Sequence, residues 1–196
     1  VTATITALRG RRGRVAVELD GAPWRTLPVE AVVEAGLAVG LPLERERARM
    51  LARALRRRRA TDVTLRALSR HDRSRSELEL RLARAGVRAE ARQDVLDRAA
   101  RAGLVDDARF AATRARSLAD RGAGDAFVLA DLEQRGVDSE LAHAVLSELE
   151  PESARAARVV EARGCSVRTL RYLAARGFAP ESLDDLIAGI ENGALP

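Results

Sequence analysis

Lysine is missing from this 196-residue chain: all 34 basic residues are arginine. Schiff-base and P-loop lysine chemistry are thereby excluded. What remains is guanidinium, which is always charged and forks bidentately onto phosphate or carboxylate. A single cysteine, Cys165, rules out an internal disulfide framework, and two histidines are too few for a zinc cage. No apolar run nears the roughly 20 residues that span a bilayer. The uncharged start, Val1 to Leu8, is too short for the apolar core of a signal peptide. These absences predict a reducing, cytoplasmic setting with no membrane contact, no metal and no cofactor.

Catalytic residue types are scarce as well. His71 lies in the polar run Ser69-Arg70-His71-Asp72, which reads as an exposed turn, and His143 lies on a helix beside Leu141 and Val145. Cys165 has no histidine or cysteine nearby. The acidic pairs Asp106-Asp107 and Asp184-Asp185 fall where helix N-termini are expected, so capping explains them. There is no nucleophile elbow and no Walker loop. A binding protein is expected, not an enzyme.

Charge is what the chain has, and it is unevenly placed. Residues 1–60 hold 13 arginines against six acids, and residues 61–103 hold ten against seven. Residues 104–150 reverse the sign, with five arginines against ten acids, and residues 151–196 balance at six each. A basic front and an acidic middle suit a molecule that meets a polyanion with one part and mixed-charge protein with another.

The first 42 residues alternate in the manner of strands. Thr4 to Leu8 and Val15 to Leu19 are short β-branched runs around Arg9-Gly10-Arg11-Arg12-Gly13-Arg14, where two glycines favour a hairpin. Asp20-Gly21 suits a type I′ turn into a third strand at Trp24 to Leu27. Val29 to Ala35 reads as a short helix capped by Gly36. So small a sheet needs a helix packed on it.

From Leu43 the period is helical. Glu44 to Arg59 places Ala48, Leu51, Ala54 and Leu55 on one face and Arg45, Arg49, Arg53 and Arg56 in one stripe. A repeat follows. Leu82 to Val87, Leu132 to Val137 and Leu173 to Phe178 share the pattern Leu, three residues, Gly, apolar. An apolar pair follows each glycine: Val95-Leu96, Val145-Leu146 and Leu186-Ile187. Each glycine should end a helix, with the next residue folding back on it. Ser74 to Glu77 fits a capping box, Asp138 an N-cap and Pro180 a first turn.

The expected fold class is mainly α: three tandem three-helix repeats after a small N-terminal β-meander and helix. Its parts are 1–42 (β-containing unit), 43–60 (arginine-rich linker helix), and repeats at 61–104, 105–150 and 151–196. Residues 192–196 should fray. Arg11, Arg12 and Arg14 at the hairpin tip, with Arg45, Arg49, Arg53 and Arg56, are the candidate contacts for DNA phosphate. Only Trp24, Phe110, Phe127, Tyr172 and Phe178 could stack bases, and most of these should be core. A helix-turn-helix reader is disfavoured, since the second helices lack grouped Asn, Gln and Arg.

The ordered motifs resemble the RecX recombination regulators. The resemblance is carried by Arg73-Ser74-Arg75-Ser76-Glu77-Leu78, Leu82 to Gly86, and Gly103-Leu104-Val105-Asp106-Asp107-Ala108-Arg109-Phe110-Ala111. It continues through Arg121-Gly122-Ala123-Gly124, Leu132 to Val137 and Leu173 to Phe178. Val15 to Leu19 with Asp20-Gly21, and Gly36-Leu37 with Gly40, are similar to a β-containing extension of some members. The resemblance implies a non-enzymatic regulator of homologous recombination, DNA repair and the SOS response. Such a protein binds the RecA–DNA filament in its groove and suppresses ATPase, strand exchange and co-protease activity. On that reading the arginines of the first two repeats, Arg75, Arg81, Arg84, Arg114, Arg116 and Arg121, are the candidate contacts with the filament, and a monomer is expected. The alternative is a nucleic-acid-binding protein that acts without RecA through its N-terminal arginines. Two positions depart from the family pattern: Asp125-Ala126-Phe127 stands where proline and basic residues are usual, and Arg49 to Arg59 replaces an often acidic stretch.

Overall fold

The computed structural model describes residues 2–184 together with 187 and 188. Expectations for Asp185, Leu186 and the frayed end at 192–196 lie outside the described residues. The chain forms two compact units: the residues up to Arg70 with Arg81–Arg98, and His71–Leu80 with the residues from Ala99 onward.

In the first unit, strands β1 (Ile5–Arg11), β2 (Arg14–Leu19) and β3 (Ala22–Pro28) make an antiparallel sheet in the order β1-β2-β3. Alternation sorts its faces: Val15, Val17 and Leu27 are buried while Ala16 and Thr26 are exposed. β1 runs three residues further than the sequence pattern predicts. Gly10 stays in the ladder opposite Val15, and the reversal falls on Arg12-Gly13, both at positive φ (49° and 75°). In β3 the register shifts: Val17 pairs with Arg25 and Glu18 with Pro23, so Trp24 is an extra, bulged residue.

Helix α1 (Val29–Glu34) buries Ala31 and Val32. Helix α2 (Arg45–Leu68) has 24 residues and runs straight through the boundary expected at residue 60. No glycine or proline interrupts it there, so nothing stops the helix. Nor does its first half serve as a linker: Leu51 and Ala54 join Ile5, Val15, Val17, Leu27 and Val32 in one core. The sheet therefore obtains its helical cover from α1 and α2.

The repeats follow as α3 (Arg75–Arg84), α4 (Ala89–Arg101), α5 (Asp107–Asp120), α6 (Asp125–Gln134), α7 (Ser139–Ser147), α8 (Glu152–Arg163) and α9 (Val167–Ala175). A 3-10 turn at Pro180–Leu183 comes after α9. Leu82, Leu132 and Leu173 are fully buried, and their carbonyls accept from Val87, Val137 and Phe178 N–H at 3.0, 3.1 and 3.2 Å. That bond, with Gly136 and Gly177 at φ of 70° and 80°, is the closing motif the repeated pattern predicts. In α5–α7 the core is Phe110, Ala111, Ala115, Leu118, Val128, Leu132, Val137 and Val145.

Candidate functional site

The functional question is which arginines the fold consumes and which it leaves outward. Within the second unit a joint occurs twice, built from equivalent residues. In its first copy, Asp107, the first residue of α5, accepts from Arg75 N–H at the start of α3 (2.7 Å), and Ser74 Oγ donates to the Arg135 carbonyl (2.5 Å). In its second copy, Glu152, the first residue of α8, accepts from Asp125 N–H at the start of α6 (2.5 Å). Gly124 N–H donates to the Arg176 carbonyl (2.9 Å). Each joint seats an Arg-Gly helix end on the N-terminus of an earlier helix, the end of α6 on α3 and the end of α9 on α6. Approach is close: a Cβ on Gly136 would lie 2.2 Å from Ser76 Oγ, and one on Gly177 2.6 Å from Phe127 N.

Guanidinium groups secure both joints. Arg114 donates to Asp131 through two nitrogens at 2.8 Å, and Arg135 bridges Asp131 (2.8 Å) and Glu77 (2.7 Å). Hydrogen bonds from Arg114 hold the Asp131 carboxyl down at about 2 against the opposing effect of burial, and Arg135 adds to this. The same bonds raise the Arg114 guanidinium above its ordinary value. In the second joint Arg155 is 3% exposed; it donates to the carbonyls of Ala123 (2.7 Å) and Glu150 (3.0 Å) and pairs with Asp125. Arg176 donates to the carbonyls of Arg121 and Gly122. Ser74 caps α3 by accepting from Glu77 N–H (3.0 Å), but the Glu77 carboxylate turns to Arg135, so only half of the predicted capping box forms.

The predicted site residues therefore separate. Arg114 belongs to the joint, two of its guanidinium nitrogens donating to Asp131. Arg75 is half-buried and its backbone is capped by Asp107. Arg81, Arg84, Arg116 and Arg121 are exposed. Arg121 lines a groove of about 300 Å³ with Arg158, Arg163 and Tyr172, where Arg163 lies 3.9 Å over the tyrosine ring. Arg158 and Arg163 had no sequence signal beyond their type.

In the first unit Arg45, Arg49, Arg53 and Arg56 are all exposed along α2. Arg53 and Arg56 line a groove of about 240 Å³ with Arg57, Arg88, Glu90 and Asp94. A second groove, of about 400 Å³, brings Arg14 and Arg25 of the sheet to Arg58, Arg59 and Arg66 of α2. Arg11 and Arg12 stand exposed at the hairpin tip. Arg25, Arg66 and Arg88 were missed because the contacts that gather them lie between distant segments. Some of this charge is internally compensated: Arg57 pairs with Glu34 and Asp94, and Arg58 with Glu30 and Asp62.

Among the remaining candidates, His71 and His143 are both exposed, and His143 Nδ1 sits 2.7 Å from the carbonyl of Ser139 in its own helix. Asp106 caps α5 by accepting from Arg109 N–H, and Asp138 caps α7. Cys165 is half-buried. Phe110 and Phe178 are core and Tyr172 is half-buried, but Trp24 (37%) and Phe127 (39%) are exposed, against the expectation that most aromatics would be interior. No described helix is long and apolar enough to cross a membrane.

A family model described as the second three-helix domain of RecX matches residues 106–146, from the N-cap of α5 into α7. The protein named regulatory protein RecX in Halorhodospira halophila is 34% identical over 132 residues, which make up 62% of this chain and 82% of that protein. This chain belongs to the RecX family. Its RecX relative in Chromohalobacter salexigens is 36% identical over 136 residues, covering 65% of this chain and 90% of the relative. A crystal structure of regulatory protein RecX superposes with a TM-score of 0.75 over 95% of this chain and 99% of the other, at 20% identity. The RecX structure from Lactobacillus salivarius gives 0.61 over 70% of this chain and 98% of the other, at 18% identity. At those identities the likeness speaks for the fold. It is a mainly α fold of helical repeats behind a small sheet, in a family of regulatory proteins.

Proposed function

We propose that this chain is a non-enzymatic regulator that binds the RecA–DNA filament as a monomer and inhibits RecA ATPase, strand exchange and co-protease activity. The observation that carries this reading is the RecX match across 82% and 90% of two relatives. The distribution of arginine supports it. Arg81, Arg84, Arg116 and Arg121 are exposed on the first two repeats, where a protein or nucleoprotein surface can reach them, and Arg75 is partly exposed. Arg114 acts from beneath, by holding α5 against α6. Arg11, Arg12, Arg14, Arg45, Arg49, Arg53 and Arg56 contribute phosphate contacts from the first unit.

The alternative, nucleic-acid binding without RecA, draws on the two arginine-lined grooves of that unit. Co-sedimentation separates the two readings. The chain should pellet with preformed RecA–DNA filaments at ratios where bare DNA of the same length retains little of it. Equal retention by bare DNA favours the alternative, and no retention by filaments overturns the proposal.

A further inference from the structure

Within the second unit, a groove of about 300 Å³ lies between the end of α5, α8 and α9. Arg121 and Arg163 line it, and neither pairs with an acid among the described residues. The other arginines of its wall are engaged: Arg155 with Asp125 and two carbonyls, and Arg158 with Glu150 at 2.7 Å. Tyr172, the single tyrosine of the chain, also lines the groove. Its hydroxyl has no hydrogen-bond partner among the described residues.

The walls of this groove are fixed before anything enters it. The Arg163 guanidinium lies 3.9 Å over the Tyr172 ring. Stacking engages the face of a guanidinium and leaves its N–H edge free to fork onto an oxyanion. Arg176 holds the carbonyls of Arg121 and Gly122 at 3.0 and 3.2 Å. A Cβ on Gly122 would lie 3.6 Å from Val159 Cγ2 and 3.8 Å from Tyr172 Oη, so the end of α5 is seated against α8 and α9. Walls already in place lower the ordering cost of binding.

We infer that this groove receives a glutamate or aspartate side chain from an acidic segment of a protein partner. The carboxylate accepts from Arg121, Arg163 and the Tyr172 hydroxyl, and its methylenes rest on Ala119, Val159 and Ala162. Charge favours this occupant over nucleic acid. Asp120 lines the same groove and Glu150 stands on Arg158, so a polyanion laid along it would meet negative charge at both places. A lone carboxylate on a mixed-charge protein surface avoids them, and it covers the apolar wall that a phosphate would leave bare. The site rests on the reading of the chain as a regulator that binds a protein. Apart from Arg121, it uses none of the contacts proposed above.

Because Tyr172 is the single tyrosine, isotope labelling of its ring in the full chain reports the groove directly by NMR. Three probes are added at low salt: a blocked hexapeptide alternating glutamate and alanine, a deoxythymidine oligomer, and inorganic phosphate. The peptide should shift the ring resonances saturably, and the other two should shift them less at equal charge. Arg121→Gln combined with Arg163→Gln should weaken the peptide about ten-fold, read by anisotropy of a labelled peptide. Arg168→Gln, at an exposed position of α9, should leave it unchanged. Thermal melting checks that each variant is folded. No peptide binding, binding that leaves Tyr172 unshifted, or equal affinities for the double variant and the parent overturns the inference. An equal or larger shift by the oligomer or by phosphate also overturns it, and assigns the groove to phosphate. Co-sedimentation keeps this apart from the filament reading. Peptide binding by a chain that filaments do not retain leaves the groove standing and removes RecA, whereas filament retention without peptide binding removes the groove alone.

Discussion

Gly124 and Gly177 meet backbone to backbone: a Cβ on Gly124 would lie 2.3 Å from the carbonyl carbon of Gly177. The close approach lets Gly124 N–H reach the Arg176 carbonyl and Ala126 N–H reach the Gly177 carbonyl at 3.2 Å. Backbone at a crowded joint cannot retreat as a flexible side chain can. Gly124→Ala should therefore destabilise the chain by about 1–3 kcal/mol, as overpacking does. Gly10→Ala, at a position with nothing within 4 Å, serves as the control and should show no comparable loss. Urea denaturation of the two variants measures the difference. Gly124 is thus pinned by packing and hydrogen bonds.

Asp131 gives the joint between the first two repeats a pH dependence. Its folded pKa of about 2 lies below the ordinary value of 3.8, so its contribution is complete above roughly pH 4 and is lost as pH falls through about 2. With a side chain only 14% exposed, the contribution is on the order of 1–2 kcal/mol after solvent screening. Asp131→Asn should be less stable than the parent by that amount at neutral pH, and the gap should close toward pH 2. A gap that does not change with pH contradicts this.

Glu152 is nearly buried, and its two oxygens accept from separate backbone groups, Asp125 N–H and Ala179 N–H. An amide replaces one acceptor with a donor. Glu152→Gln should therefore leave one buried N–H unpaired and cost about 1–3 kcal/mol, read by chemical denaturation. Glu161→Gln, at an exposed position of the same helix, should change stability by less than about 0.5 kcal/mol.

The α2 arginines predict a salt effect. Removing one guanidinium that neutralises a phosphate should reduce the slope of log affinity against log salt by about 0.7–0.9. Changing Arg45, Arg49, Arg53 and Arg56 together to Gln should flatten that slope by an amount that counts how many of them touch phosphate. An unchanged slope removes the stripe from the DNA-binding surface.

The repeat was legible because the helix end leaves a fixed imprint: a buried Leu, a glycine and an apolar residue whose N–H returns to that Leu. Strand register was less legible. Arg12, not Gly10, takes the turn, since a two-residue reversal with a matching ladder outweighs the preference of one residue. The end of the arginine-rich segment was misplaced because Arg59, Ala60 and Thr61 carry no stop signal, and the core role of Leu51 emerges only once the sheet exists. Among site residues, type and exposure were readable but partners were not. Arg114 and Arg116 look alike in sequence, and the first is committed to Asp131 seventeen residues away. The joint acids Asp107 and Glu152 were hidden for a related reason: each starts one helix and caps another.

The most direct test is RecA's DNA-dependent ATPase, measured on single-stranded DNA with increasing amounts of this chain. The rate should fall progressively and approach its floor at or below one chain per RecA, and Arg81, Arg84, Arg116 and Arg121 changed together to Glu should blunt that fall in a protein that still melts like the parent. An ATPase rate unchanged at stoichiometric ratios contradicts filament regulation by this chain.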